Sequence, residues 1–154
     1  MTRRLEMEIP STWQFVRQIK RKVEEFLADY PESLRYSAGM VSSELVGNAI
    51  KYGEKTPQPT ICVSVNDAQV EIEVNNAVKS PEHLSQVQMR LDQMAHAEDK
   101  ATFYLKRLQE LLMDTPKSQG GQLGLYRIGY EGDFNLSYKY TDQVLTIKAT
   151  RGLS

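Results

Sequence analysis

A disulfide framework is excluded at once, because the chain has a single cysteine, Cys62. Cys62 falls in an alternating apolar run with Ile61, Val63 and Val65, where a buried, reduced thiol is expected rather than a nucleophile. Histidine is almost as scarce. His83 and His96 stand thirteen residues apart with no cysteine partner, so the sequence offers no zinc-ligand spacing. A surplus of charge of either sign is missing too. Nineteen basic against twenty acidic residues leave a net charge of −1, which supplies neither a basic field for nucleic acid nor a polybasic patch for a membrane. No apolar run reaches membrane-spanning length, and the opening Met1–Glu8 carries no apolar signal core, so a cytoplasmic location is expected. What remains is an ordinary globular balance, 40% hydrophobic and 25% charged, over 154 residues. That is enough for one domain, 1–154, with a substantial core.

The chain is strongly patterned. Leu5, Met7 and Ile9 alternate with polar residues as a half-buried strand does. Pro10 stops that strand, and Ser11 is placed to cap a helix running to Ala28 or Asp29. Phe15, Ile19, Val23, Phe26 and Leu27 form its apolar stripe. A second helix is predicted from about Ser33 to Tyr52. Thr60–Val65 and Val70–Asn75 read as a hairpin about Asn66-Asp67, and Asp133–Tyr140 and Val144–Thr150 as another about Thr141-Asp142. Between the hairpins lies a helical insert, about 80–119, then a short helix carrying Leu123, Leu125 and Ile128. Strands and helices are segregated, so the predicted class is α+β: a mixed, mostly antiparallel sheet of about five strands with helices on one face.

The chemistry concentrates in the second helix. Glu44 and Asn48 are four residues apart within Ser42–Gly53 and so share one helix face, leaving Leu45, Ala49 and Ile50 to pack inward. A carboxylate and a carboxamide side by side can hold a divalent cation with a water or hydroxyl beside a polyphosphate. The same pair also occurs on plain solvated helix faces. Lys51 lies close enough to meet a phosphate, and Gly53 ends the helix.

Glu44-Leu45-x-x-Asn48-Ala49-x-Lys51-Tyr52 resembles the N-box of the GHKL, or Bergerat-fold, ATP-binding proteins. In length and element order the whole chain looks like the bacterial anti-sigma serine kinases within that family. The resemblance implies a Bergerat-type two-layer sandwich with ATP and Mg²⁺ as cofactors, Glu44 as catalytic base or positioning group, and Asn48 as magnesium ligand. The family's second motif, Asp-x-Gly-x-Gly, falls on Asn76, Val78 and Ser80, so Asn76 takes the adenine-contacting place and both glycines are replaced. Its glycine-rich turn resembles Gly120-Gly121-Gln122-Leu123-Gly124-Leu125, where backbone N–H groups at a helix start would cradle phosphates together with Lys51. Arg127 lies one turn further, and the insert takes the position of the ATP lid.

The resemblance thus implies an ATP-dependent protein serine/threonine kinase acting in a bacterial signalling switch. Its partner would be a STAS-domain, anti-sigma-antagonist-like protein, with a sigma factor or other regulator as a further candidate. It implies no direct nucleic-acid partner, and it leaves a homodimer open. Asn76, Val78 and Gln122 also support another reading, a protein-binding module on the same scaffold with nucleotide binding weakened or lost.

Overall fold

The computed structural model describes residues 2–54, 56–96 and 134–153. Its elements run β1 (Arg3–Glu8), α1 (Gln14–Phe26), α2 (Glu32–Tyr52), β2 (Thr60–Val65), β3 (Gln69–Ala77), α3 (Pro81–His96), β4 (Asn135–Thr141) and β5 (Val144–Gly152). The strands form one five-stranded sheet in the order β1-β2-β3-β5-β4. All four ladders are antiparallel. The α+β class and the mostly antiparallel five-stranded sheet therefore hold, and among the described residues every pairing is antiparallel. Alternation alone left the direction of the β3–β5 pairing undetermined, because the insert between them could return the chain either way.

Period-two patterning decides which face of the sheet meets the helices. Ile61, Val63 and Val65 of β2, Val70, Ile72 and Val74 of β3, and Leu145, Ile147 and Ala149 of β5 are buried. They join Phe15, Ile19 and Val23 of α1 and Leu34, Ala38, Val41, Leu45, Val46 and Ala49 of α2 in one core. Each large aliphatic side chain there contributes about 1.5–3 kcal/mol by burial. α3 lies over the same face: Leu84 packs on the core, and the Tyr138 hydroxyl donates to Asp92 at 3.2 Å. Loss of hydration, then the bond to Asp92, raises the Tyr138 phenol above its ordinary pKa.

The helix boundaries differ in detail from the sequence reading. Ser11 does not cap α1. A turn closed by Thr12 N–H on the Pro10 carbonyl precedes the helix, and Trp13 occupies the N-cap without a side-chain bond. Cys62 is also not buried in the core. As the residue between Ile61 and Val63 it must face the opposite side of the sheet, where it is half-buried. There its thiol donates to Glu6 over 3.8 Å, and burial, then the Glu6 charge, pushes its pKa up.

The turns rest on specific atoms. Asn66 Oδ1 accepts from the backbone N–H groups of Ala68 (2.7 Å) and Gln69 (2.9 Å), closing the β2–β3 connection as an Asx turn. The β4–β5 turn falls on Asp142 and Gln143, one residue later than the sequence reading, because Thr141 pairs with Val144. Both turn residues have positive φ, 53° and 65°, as a two-residue type I′ hairpin requires. Neither is glycine, so the turn carries backbone strain. Gln143→Gly is expected to stabilise the fold by about 1 kcal/mol, raising Tm by about 2–4 °C in a thermal melt.

Candidate functional site

The site begins on α2. Glu44 and Asn48 project one turn apart from one flank of this helix and are both half-buried. Leu45 and Ala49 turn into the core as expected, Ile50 packs at its margin, and Lys51 is exposed. Burying apolar residues at 34, 38, 41, 45 and 49 against the sheet dictates this orientation. Helical spacing then leaves positions 44 and 48 at the boundary between core and surface.

Gly53 ends α2, but not as a left-handed cap. Its φ of −80° and ψ of 157° are extended and open to any residue. Glycine is needed here for closeness. A Cβ on Gly53 would stand 2.5 Å from the Ala49 carbonyl oxygen and 2.9 Å from Asn76 Nδ2. The Asn76 side chain is thereby seated against the end of the helix that carries Glu44 and Asn48. It is 6% exposed, and it sits on the core-facing side of β3 beyond Val74. The sequence marked Asn76 by motif position, and the fold brings it to the same end of α2.

The loop that follows takes a path of its own. Val78, in the place of the motif's first glycine, is buried. Its N–H donates to the Gln143 carbonyl at 2.9 Å, and its own carbonyl accepts the Tyr140 hydroxyl at 2.7 Å. Glu54 N–H bonds the Ala77 carbonyl at 2.8 Å, tying the end of α2 to the end of β3. The β4–β5 turn therefore clamps the backbone that glycines would otherwise leave free. Sequence reasoning missed Tyr140, since nothing local signals a contact 62 residues away. Gly120, Gly121, Gly124, Leu125, Gln122 and Arg127 lie outside the described residues, as does the insert beyond His96.

Among the described residues no group of three or more histidine, cysteine or carboxylate side chains could hold a metal ion. A nucleotide-borne magnesium does not require one, because Mg²⁺ keeps waters and phosphate oxygens and takes only one or two protein ligands. The Asn48 amide oxygen is a donor of the right hardness. Among the same residues no helix is long and apolar enough to cross a membrane.

Two further features frame the site. Ser42, on the same helix, is fully buried, and its Oγ has no hydrogen-bond partner among the described residues. An unsatisfied buried hydroxyl is a net cost, so Ser42→Ala should raise stability by about 1 kcal/mol in urea unfolding, with the m-value unchanged. On the opposite face of the sheet lies a hollow of about 460 Å³ whose lining includes Glu6, Glu8, Cys62, Glu71 and Glu73. Glu44 and Asn48 take no part in it.

Compared with models of known protein families and with curated protein sequences, the chain matches none.

Proposed function

We propose that this chain is a cytoplasmic ATP-binding regulatory protein of the GHKL type. It would act as a serine/threonine kinase of the anti-sigma kind on a STAS-like partner. The observation that supports this most directly is the seating of Asn76 against Gly53, at the end of the helix that carries Glu44 and Asn48. Asn76, some thirty positions further along the chain, lies against Gly53, just beyond the helix on which Glu44 and Asn48 share a flank. Bound ATP would supply the transferable phosphoryl group together with its magnesium. Asn48 offers that ion an amide oxygen, Lys51 a positive charge for phosphate, and Asn76 a neutral acceptor for an adenine amino group. Glu44 orients the attacking hydroxyl and accepts its proton. Phosphoryl transfer rests mainly on positioning and charge stabilisation, so this short set of side chains suffices for the role.

A second reading keeps the fold and gives up the nucleotide. Val78 favours it, because both of its backbone polar groups are already spent on Gln143 and Tyr140. Thermal unfolding with Mg-ATP separates the two. Nucleotide at a hundred times its dissociation constant adds about 2.7 kcal/mol, worth several degrees in a domain of this size. No shift at millimolar Mg-ATP leaves the protein-binding module.

A further inference from the structure

The largest exposed apolar side chains on the α1–α2 pair are Trp13 and Tyr36, with 61% and 54% of their surface in solvent. They are set in a defined frame. Trp13 lies over α2 at Gly47, where a Cβ would meet its indole at 3.8 Å. Gly47 is three residues after Glu44 and therefore its neighbour on the helix surface. At the other end of the contact, Lys20 Nζ stands 5.0 Å from the centre of the Tyr36 ring. Arg17 and Arg21 continue the stripe from Trp13 at helical spacing, and both are exposed. Neither makes an ion pair among the described residues. A ridge about 12 Å long thus combines an indole, a phenol and three positive charges, with the Glu24 carboxylate beside Lys20 over Gly39 at its far end, and its near end lies one helical turn from Glu44.

We propose that the ridge formed by Trp13, Arg17, Lys20, Arg21 and Tyr36 docks an acidic segment of a protein partner and, if the kinase reading holds, presents that partner's hydroxyl to Glu44. Tryptophan, tyrosine and arginine are the residue types that dominate protein-interface energetics. More than half of the surface of each aromatic is left in solvent on a paired helix face, so contacts within the domain leave most of both side chains available to a partner. The charges select an acidic occupant. Nucleic acid is disfavoured, because three cations on a chain of net charge −1 neutralise too few phosphates for useful affinity.

The chain has one tryptophan, so its fluorescence reports on this ridge alone. The probes are a synthetic 16-residue peptide rich in glutamate with one leucine and one serine, the same peptide with lysine for glutamate, and a 16-nucleotide oligothymidylate. The acidic peptide is expected to shift Trp13 emission to shorter wavelength, with affinity falling as salt rises. Arg17→Glu with Arg21→Glu should weaken its binding about thirtyfold or more, and Trp13→Ala, followed by anisotropy of a labelled peptide, by at least about tenfold. All three side chains are exposed, so the variants keep the fold. No response to the acidic peptide, an equal response to the lysine peptide, or a response to the oligonucleotide alone would overturn the proposal. The Mg-ATP thermal shift is read separately. A peptide response in a protein that ignores ATP keeps the docking ridge and removes only its link to Glu44.

Discussion

On the proposed kinase reading, Glu44→Ala is expected to lower phosphoryl transfer by about 10²–10⁴-fold, the usual contribution of a positioned general base, while the Mg-ATP thermal shift is expected to stay within a degree of the wild-type value. Label transfer from radiolabelled ATP to a serine-bearing acceptor or to water measures the first, and a melt measures the second. This split follows from position. Glu44 sits half-buried on the flank of α2, one turn before Asn48, and in the proposed arrangement it meets the attacking hydroxyl rather than the nucleotide. Asn48→Ala should behave oppositely, with the magnesium-dependent part of the thermal shift lost and the nucleotide alone bound as weakly with metal as without. Full activity in the Glu44→Ala protein removes this residue from any mechanism. Unchanged magnesium dependence in Asn48→Ala does the same for the metal site.

Gly53→Ala costs about 3 kcal/mol and lowers Tm by roughly 6–12 °C. The new methyl group has nowhere to go, with the Ala49 carbonyl oxygen 2.5 Å away on one side and the Asn76 amide 2.9 Å away on the other. Backbone freedom is not at issue, since the local φ and ψ suit any residue. The damage should extend to function, because relief requires either unwinding the last turn of α2 or displacing Asn76 from its seat. On the proposed nucleotide-binding reading, Mg-ATP binding should therefore weaken along with stability. Gly152→Ala is the control. A Cβ at Gly152 meets nothing within 4 Å, and its melt should change by less than about 0.5 kcal/mol. A Gly53→Ala protein as stable as that control would show that the end of α2 and Asn76 of β3 do not approach closely enough to exclude a methyl group.

Part of this molecule was legible from one-dimensional pattern. The strands announced themselves through alternation, and every ladder in the sheet uses those residues in that phase. The α1 stripe at positions 15, 19 and 23 is buried throughout. Glu44 and Asn48 could be paired on paper, because four residues in a helix always bring two side chains to one face. Other readings failed for a common reason. Ser11 was a plausible cap by residue type, yet the preceding proline turn delays the helix to Gln14. The β4–β5 turn slid onto Gln143 because cross-strand register, set by packing Leu145 and Ile147 inward, outweighed the poor fit of glutamine to positive φ.

Local periodicity, dictated by helix and strand geometry, was enough by itself to define the α+β class, the inward faces and the adjacency of Glu44 to Asn48. Only the folded chain decided that Asn76 meets Gly53, that Tyr140 and Gln143 clamp Val78, and that Trp13 stands exposed over Gly47. Each of these joins residues far apart in sequence. Their contacts arise from the way one sheet and two antiparallel helices share a single core, and no spacing rule within a segment encodes that arrangement.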